Sequence, residues 1–344
     1  MTDLSTKYMG LELKNPIIIG SSGLTNSIKD IQQAAHFGAG AVVLKSIFEE
    51  QIRLETDKFI SHENDKMDPF RQGYQEVVSD RSYDYAEAEA YIADFARENT
   101  LGQYLKFIED VKQAVDIPVI ASINCVSPYD WHYFARRIQA AGADALELNI
   151  YILPSDPSMT SEGNEQTYFS IADAVLKQVS IPVSIKVSYY FSSLSNTLIR
   201  LSNCGIKGLV MFNRPFHPDI NIDSLEIDSK YMLSDPMEYS HTLRWMALLY
   251  GKTGCNLVAS TGIHDHESVV KQLLAGATAV QMTSVLYKKG FSYLEEVIKG
   301  LEGWMKMKGF SKPEEFRGMA SQQNIKNPAA FERVQFMKLY SKIV

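Results

Sequence analysis

Short apolar segments recur along the chain, separated by stretches in which apolar and polar residues alternate with helical spacing. Three of the segments open at a proline, which cannot donate to a sheet ladder and therefore marks the start of a strand. Four others follow a glycine that would end the preceding helix. The pattern predicts eight strands, over residues 15–20, 38–44, 117–121, 142–148, 181–185, 205–211, 256–259 and 276–282.

The segments between these strands place apolar residues on one face of a helix. They predict helices over residues 28–37, 101–115, 131–141, 169–179, 194–201, 239–250, 266–274 and 293–307. Eight apolar strands alternating with eight helices favour a closed parallel barrel, because an open sheet of that width is less common. We therefore predict an α/β protein with one (β/α)8 (TIM) barrel domain over residues 1–344.

Three segments depart from this regular alternation. Residues 47–100, after the second strand, and residues 214–237, after the sixth, are longer than normal βα loops. Both would leave the barrel on the face where active sites form, so we expect them to include a lid. The tail, residues 319–344, predicts a helix over residues 328–343.

Composition excludes several classes of protein. The chain has 344 residues, 45% of them hydrophobic and 22% charged, which is typical of a globular protein. A net charge of -7 without a basic cluster argues against nucleic-acid binding. The three cysteines suit neither a disulfide framework nor a metal site. With no apolar stretch of signal or membrane length near the N-terminus, we expect a cytoplasmic protein.

Polar residues occupy the predicted carboxyl end of every strand, where a barrel keeps its chemistry. A lysine there needs an anionic partner, which for Lys45 or Lys186 alone could be a neighbouring acid. Two lysines and three asparagines on one rim favour a planar ligand with several carbonyl groups and a phosphate, as in flavin mononucleotide (FMN). The strand ends hold Ser21, Ser22, Lys45, Ser46, Asn124, Asn149, Lys186, Asn213, Ser260, Thr261, Thr283 and Ser284.

Residues 254–290 give the phosphate a candidate position. An apolar strand ends in Ser260, Thr261 and Gly262, and the next strand ends in Thr283 and Ser284. Small side chains and exposed amides after the last two strands are typical of the phosphate site of a (β/α)8 barrel. Two ordinary βα turns would also account for the glycine and serine, so the context decides.

The order of these motifs resembles the dihydroorotate dehydrogenase family of FMN-dependent (β/α)8 barrels. The resemblance begins at YMGLELKNP (residues 8–16) and runs to Gly290. It implies that FMN is surrounded by Ser21, Lys45, Ser46, Asn124, Asn149, Lys186, Ser260, Thr261, Gly262, Thr283 and Ser284. It also implies that Lys45, Asn149 and Asn213 reach a small-molecule substrate on the flavin face.

The chain departs from the family at the base that removes a proton from the substrate. The family has a serine or cysteine shortly after the ELN motif, whereas this chain has Ile152. An isoleucine cannot accept a proton. Tyr151 and Ser155 are the nearest candidates for a replacement base, with Cys125 a further one, although for each an ordinary loop residue or buried thiol is the favoured interpretation.

Three functional hypotheses remain open. The first is an FMN-dependent dehydrogenase acting on dihydroorotate or a related cyclic compound, which would serve pyrimidine biosynthesis if dihydroorotate is the substrate. The second is a flavin- or phosphate-ligand-binding barrel that has lost dehydrogenase chemistry. A Schiff-base aldolase using Lys186 is a third, but it leaves Lys45 unexplained. The resemblance also predicts a homodimer, with Tyr250, Phe316 and Phe331 as apolar residues outside the strands.

Overall fold

A computed structural model describes residues 2–48, 101–124, 131–214, 218–228 and 233–332. Its strands are short and almost entirely buried where they contribute to the main sheet. In chain order they are β1 (Thr6–Tyr8), β2 (Leu11–Leu13), β3 (Ile17–Ile19), β4 (Ala41–Val43), β5 (Ile47–Phe48), β6 (Val119–Asn124), β7 (Ala145–Ile150), β8 (Val183–Val187), β9 (Gly208–Met211), β10 (Asp219–Ile220), β11 (Ile227–Asp228), β12 (Asn256–Ser260) and β13 (Ala279–Met282).

Eight parallel strands close into a barrel in the order β3, β4, β6, β7, β8, β9, β12, β13 and back to β3. The ring closes between the last and first of these strands, where Val280 pairs with Ile17. Each of the eight strands coincides with a predicted one, so the predicted (β/α)8 barrel is confirmed. Closure removes the exposed sheet edges that an open sheet would leave.

The strands alternate with helices that cover the outside of the barrel. In chain order these are α1 (Ile28–His36), α2 (residues 101–114), α3 (Trp131–Ala140), α4 (Ser161–Leu176), α5 (Leu194–Ser202), α6 (Tyr239–Leu249), α7 (His266–Ala275), α8 (Ser284–Lys289) and α9 (Tyr293–Lys308). The main difference from the sequence prediction is α4, which begins at Ser161 rather than residue 169. Thr160 caps its first turn by accepting a hydrogen bond from the Gly163 amide at 3.1 Å. That turn is solvent exposed and therefore carries no apolar signal.

The core has two layers. Inside the barrel, small and branched side chains such as Ala41, Val210 and Ala279 pack around the axis. A second, larger layer fills the space between the barrel and the helices. The N-terminal hairpin of β1 and β2 closes the barrel at the amino ends of its strands, because the Met9 amide donates to Asn256 Oδ1 at 2.9 Å. The carboxyl ends of the strands are therefore the end at which a ligand can enter.

The long segments are only partly described. Of the predicted insertion, Ile47 and Phe48 form β5 beside β6, and residues 49–100 lie outside the described residues. The segment after β9 contains an antiparallel hairpin of β10 and β11. Of the predicted C-terminal helix, Pro328–Phe331 forms a 3-10 turn, and residues 333–344 lie outside the described residues.

The part of the tail that is described packs on the barrel helices. The amides of Gly318 and Ala320 donate to the carbonyls of Leu273 and Leu274 at 3.0 and 2.8 Å. Phe316 is fully buried and packs on Trp304, with ring centroids 5.0 Å apart. Phe316 therefore lies outside the strands, as predicted, but it is buried and has no surface to offer to a partner subunit. The homodimer itself stays a prediction.

Asp144 links a helix to two barrel strands, so we expect its loss to destabilise the fold. Its carboxylate accepts hydrogen bonds from Lys112 of α2 at 2.6 and 2.8 Å and from the Val119 amide at 2.8 Å. Replacing it with alanine leaves the buried amide unpaired and removes a charge-assisted bond, which should cost about 1–2 kcal/mol of unfolding free energy. Urea denaturation followed by circular dichroism measures this change.

Asp110 provides the matched control, because it pairs with Lys106 four residues away on the exposed face of the same helix. Exposed pairs of this kind contribute about 0.3–0.5 kcal/mol. Asp110→Ala should therefore shift the urea midpoint less than Asp144→Ala. Equal shifts for the two variants would show that the link between helix and strands contributes nothing beyond a surface pair.

Candidate active site

A cleft of about 920 Å³ opens at the carboxyl ends of the barrel strands. It brings together polar side chains that the sequence places far apart, from the first strand to the last. Among the predicted site residues, those that line the cleft are Ser21, Lys45, Ser46, Asn149, Lys186, Asn213, Ser260, Thr261, Gly262, Thr283 and Ser284. Their roles toward a ligand stay predictions.

Serine hydroxyls tie the ends of the first three barrel strands together. Ser21 Oγ lies 3.1 Å from Ser46 Oγ and accepts a hydrogen bond from the Ser46 amide at 2.9 Å. Ser46 Oγ lies 2.7 Å from the buried hydroxyl of Ser122. Because each hydroxyl is fixed by its neighbour, this wall of the cleft is preorganised before any ligand binds.

Four cationic side chains line the cleft, namely Lys45, Lys186, Arg214 and Lys288. None of the described lining residues is an aspartate or a glutamate. Arg214 is turned partly toward Glu238, whose Oε2 lies 3.6 Å from the Arg214 Nε. A concave surface with this excess of positive charge concentrates anions. The cleft is therefore suited to a ligand with more than one negative group.

Lys186 is connected to a buried carboxylate through a glutamine. Its ammonium donates to Gln281 Oε1 at 2.9 Å, and Gln281 Nε2 donates to Glu147 Oε2 at 2.6 Å. Burial lowers the pKa of Lys186 and raises the pKa of Glu147, and the attraction between the two charges opposes both shifts. The glutamine fixes the lysine at the floor of the cleft, where its charge is poorly screened.

Two asparagines form a second fixed pair. Asn213 Nδ2 donates to Asn149 Oδ1 at 2.5 Å. This bond leaves the amide hydrogens of Asn149 and the side-chain oxygen of Asn213 for other partners. Together with the ammonium of Lys45 they present both donors and an acceptor to the cleft. A cyclic compound with carbonyl and N–H groups would complement them.

The turn after β12 brings its backbone close to the wall of the cleft. Thr261 and Gly262 both have a φ of 76°, a conformation that glycine adopts without strain. Thr261 Oγ1 donates to the Phe212 carbonyl at 3.0 Å, which anchors the turn. A methyl group on Gly262 would collide with the backbone nitrogen of Tyr239. Glycine is therefore required here for space as well as for conformation.

The residues considered as replacement bases lie away from the described lining. Tyr151 packs edge-on against Tyr190, with ring centroids 6.2 Å apart, and burial together with neighbouring tyrosines raises the pKa of Tyr151 to about 12. It stays protonated at neutral pH. Ser155 is solvent exposed, and Cys125 lies outside the described residues. Ile152 is half-buried and packs against the main core.

Asn124 is half-buried at the end of β6 and is not part of the described cleft lining. Sequence reasoning also missed several residues that do line it. Gln281 could have been found, because it lies two positions before Thr283 and strand residues two apart share a face. Arg214 directly follows the predicted Asn213. Lys288 lies within the predicted phosphate-site stretch 254–290 but was not singled out, and Ser234 belongs to no motif, so only the fold brings it to the cleft.

The fold and the cleft define a (β/α)8 barrel with a cleft lined by cationic side chains at the carboxyl ends of its strands. A family model described as dihydroorotate dehydrogenase matches residues 83–305. Because the match covers more than half of the chain, the chain belongs to the dihydroorotate dehydrogenase family. It is accordingly an oxidoreductase of the dihydroorotate dehydrogenase type.

Curated relatives extend the similarity over most of the chain. Several of them, including the two described next, carry the name dihydroorotate dehydrogenase B (NAD(+)), catalytic subunit. The relative from Pyrococcus abyssi is 26% identical, over 92% of this chain and 99% of its own length. The relative from Thermoplasma volcanium is 24% identical, over 93% of this chain and 99% of its own length. In the described part of the chain, no helix has both the length and the apolar character needed to cross a membrane.

Proposed function

We propose that the protein is an FMN-dependent dehydrogenase that oxidises dihydroorotate or a related cyclic compound. The observation that carries this proposal is the arrangement of the cleft, in which half-buried Lys186 faces the same space as the Gly262 turn and Ser284. Family membership and relatives named as dihydroorotate dehydrogenase catalytic subunits support it. If dihydroorotate is the substrate, the reaction belongs to pyrimidine biosynthesis.

The residues of the cleft fit FMN in size and chemistry. A volume of about 920 Å³ lies within the range of roughly 300–1,000 Å³ that is typical of small-molecule sites. The phosphate would be held by Ser260, Thr261, Gly262, Thr283 and Ser284. The ring would be held by Ser21, Ser46, Asn149 and Lys186, which all line the cleft. When bound, FMN would supply the hydride acceptor at its N5 atom.

Lys45, Asn149 and Asn213 would orient the substrate. Lys45 would pair with an anionic group of the substrate, because the described lining of the cleft offers it no carboxylate. The fixed pair of Asn149 and Asn213 would bond the carbonyl and N–H groups of a cyclic compound, and the hydrogen bond between them keeps both amides in one orientation. Positioning of this kind lowers the entropic part of the reaction barrier.

Replacing Lys186 with alanine is the mutation that tests this arrangement. The variant should bind FMN more weakly, and its flavin should have a more negative reduction potential, because reduction adds negative charge that the lysine would offset. A loss of about 1.4 kcal/mol of this stabilisation corresponds to about 30 mV for a two-electron couple. Spectroelectrochemical titration of the purified variants measures the potential.

Lys207→Ala is the matched control, since this lysine is exposed at the other end of the barrel. It should leave both the FMN affinity and the potential unchanged. If Lys186→Ala also leaves both unchanged, the proposed position of the flavin ring is wrong. If the wild-type chain takes up no flavin at all, the proposed function is wrong.

One observation favours a second hypothesis, a flavin- or phosphate-ligand-binding barrel without dehydrogenase chemistry. The family resemblance implies that Ile152 stands in place of the family's base, and Tyr151 is protonated at neutral pH. A protein of this kind would bind FMN and show no reduction with dihydroorotate or related cyclic compounds. The homodimer and the cytoplasmic location stay predictions, drawn from the family resemblance and from the sequence respectively.

A further inference from the structure

Ser234 contacts both turns that would hold a phosphate. It lies in the segment that follows β9, and it is almost fully buried although it lines the cleft. Its amide donates to Ser284 Oγ at 2.9 Å, and its hydroxyl accepts a hydrogen bond from the Gly262 amide at 3.3 Å. The segment after β9 therefore forms a third wall of this part of the cleft.

A buried histidine is the second partner of the Ser234 hydroxyl. His264 Nε2 lies 3.1 Å from Ser234 Oγ, and the histidine is 8% exposed. A hydroxyl has one hydrogen to donate and two lone pairs to accept with. When Nε2 carries its hydrogen, Gly262 and His264 occupy both lone pairs of Ser234. The hydroxyl hydrogen is then available to an acceptor in the cleft.

The surroundings of His264 disfavour the protonated, cationic form of its imidazole. Burial and the nearby Lys288 lower the pKa of His264, while the Ser234 backbone, Asp235 and Asp265 oppose this shift. The imidazole is therefore neutral at neutral pH, and one of its nitrogens can serve as a donor without adding a charge. Lys288 itself lines the cleft and supplies positive charge on the same side.

We propose that Ser234, oriented by His264, is a direct ligand of the FMN phosphate. It would complete a cradle whose other sides are the Gly262 turn and Ser284, and it would couple cofactor binding to the position of the segment after β9. We infer the same role for Ser284. Its hydroxyl oxygen accepts a hydrogen bond from the Ser234 amide, so its hydroxyl hydrogen can point to the phosphate. This inference rests on the proposed function.

A simpler explanation is that Ser234 and His264 only close the fold over the end of the barrel. The two explanations differ in what they predict for ligands with and without a phosphate. If Ser234 has only a structural role, its replacement should weaken the binding of both compounds equally or lower stability alone. If Ser234 contacts the phosphate, its replacement should weaken only the binding of the compound that carries a phosphate.

The test compares FMN with riboflavin, which has the same ring and lacks the phosphate. Full-length protein freed of flavin is titrated with each compound, and quenching of flavin fluorescence gives both dissociation constants. The dissociation constant of riboflavin divided by that of FMN measures how much the phosphate contributes to binding. Ser234→Ala should lower this ratio about tenfold, which is the loss of one hydrogen bond to a charged group, while riboflavin affinity stays constant.

Two substitutions of His264 test whether its N–H group, rather than its volume, orients the Ser234 hydroxyl. His264→Gln keeps an N–H donor near the position of Nε2 and should retain most of the ratio, whereas His264→Leu should lower it severalfold. Ser240→Ala is the control, because Ser240 is exposed at the start of α6 and its hydroxyl donates to the Met237 carbonyl. It should leave the ratio unchanged.

The possible outcomes separate this inference from the proposed function. If wild-type protein prefers FMN to riboflavin and Ser234→Ala keeps that preference, the inference is overturned and the proposed function stands. If His264→Gln and His264→Leu behave alike, His264 does not orient the hydroxyl. If wild-type protein binds neither compound, the proposed function itself fails, whatever the Ser234 variant does.

Discussion

Gly262→Ala should weaken FMN binding on the order of 100-fold or more. The new methyl group would collide with the backbone nitrogen of Tyr239 at a position whose φ is 76°. The turn would have to move, and its backbone amides could then no longer donate hydrogen bonds to the phosphate. Hydrogen bonds to charged groups contribute about 1.5–3 kcal/mol each, so the loss of two of them accounts for the expected factor. Fluorescence titration with FMN measures it.

Gly142→Ala is the control for the backbone itself. Gly142 has a φ of 92°, and a methyl group added there meets nothing within 4 Å. This variant therefore carries a comparable conformational cost without the collision. It should lower the melting temperature and leave FMN affinity unchanged. Equal affinity in the Gly262 and Gly142 variants, with both folded by circular dichroism, would place the phosphate elsewhere.

Dihydroorotate should reduce the bound flavin slowly. A positioned general base contributes about 10²–10⁴-fold to a rate, and the family resemblance implies that Ile152 stands in place of that base. Ile152 is half-buried and packs against the main core, so a side chain at this position is held in place. Ile152→Cys should therefore raise the rate of flavin reduction, measured by anaerobic stopped-flow absorbance.

Ile152→Ala controls for the change in side-chain volume, because it removes bulk without adding a proton acceptor. It should not raise the rate. Fast reduction in the wild-type protein would instead show that another group has taken the role. In that case Tyr151→Phe, Ser155→Ala and Cys125→Ala should be compared, and the base is the residue whose loss slows reduction without releasing flavin.

The barrel could be predicted because each strand carries its own local signal. Pro118 and Pro182 precede the apolar residues of β6 and β8, and helix-ending glycines such as Gly276 precede others. Gly276 has a φ of 127° at the end of α7, which confirms the reason for its presence. The number of strands then favoured closure, without knowledge of any long-range contact.

Features that depend on tertiary contacts carried no such signal. The strands β5, β10 and β11 have two residues each, which is too short for a recognisable period. Phe316 resembles any exposed tail aromatic in the sequence, and only the packing against Trp304 shows that it is buried. Tertiary context overrides local pattern in both cases.

The candidate site divides in the same way. Residues at strand ends, such as Lys45 and Asn213, could be predicted because the carboxyl ends of parallel strands converge. The bond between Lys186 and Gln281 joins residues 95 positions apart. Ser234 lies outside the helices and strands, 30 positions from its partner His264. The sequence contains these residues but not their distances.

The central claim is that this barrel binds FMN in its cleft, and cofactor analysis of the purified full-length protein tests it most directly. Heat or acid should release a yellow compound that chromatography identifies as FMN, with one molecule per chain and no covalent attachment. Colourless protein that takes up no flavin on incubation with FMN would contradict the claim, since the charges of Lys45, Lys186 and Lys288 would then serve another anion.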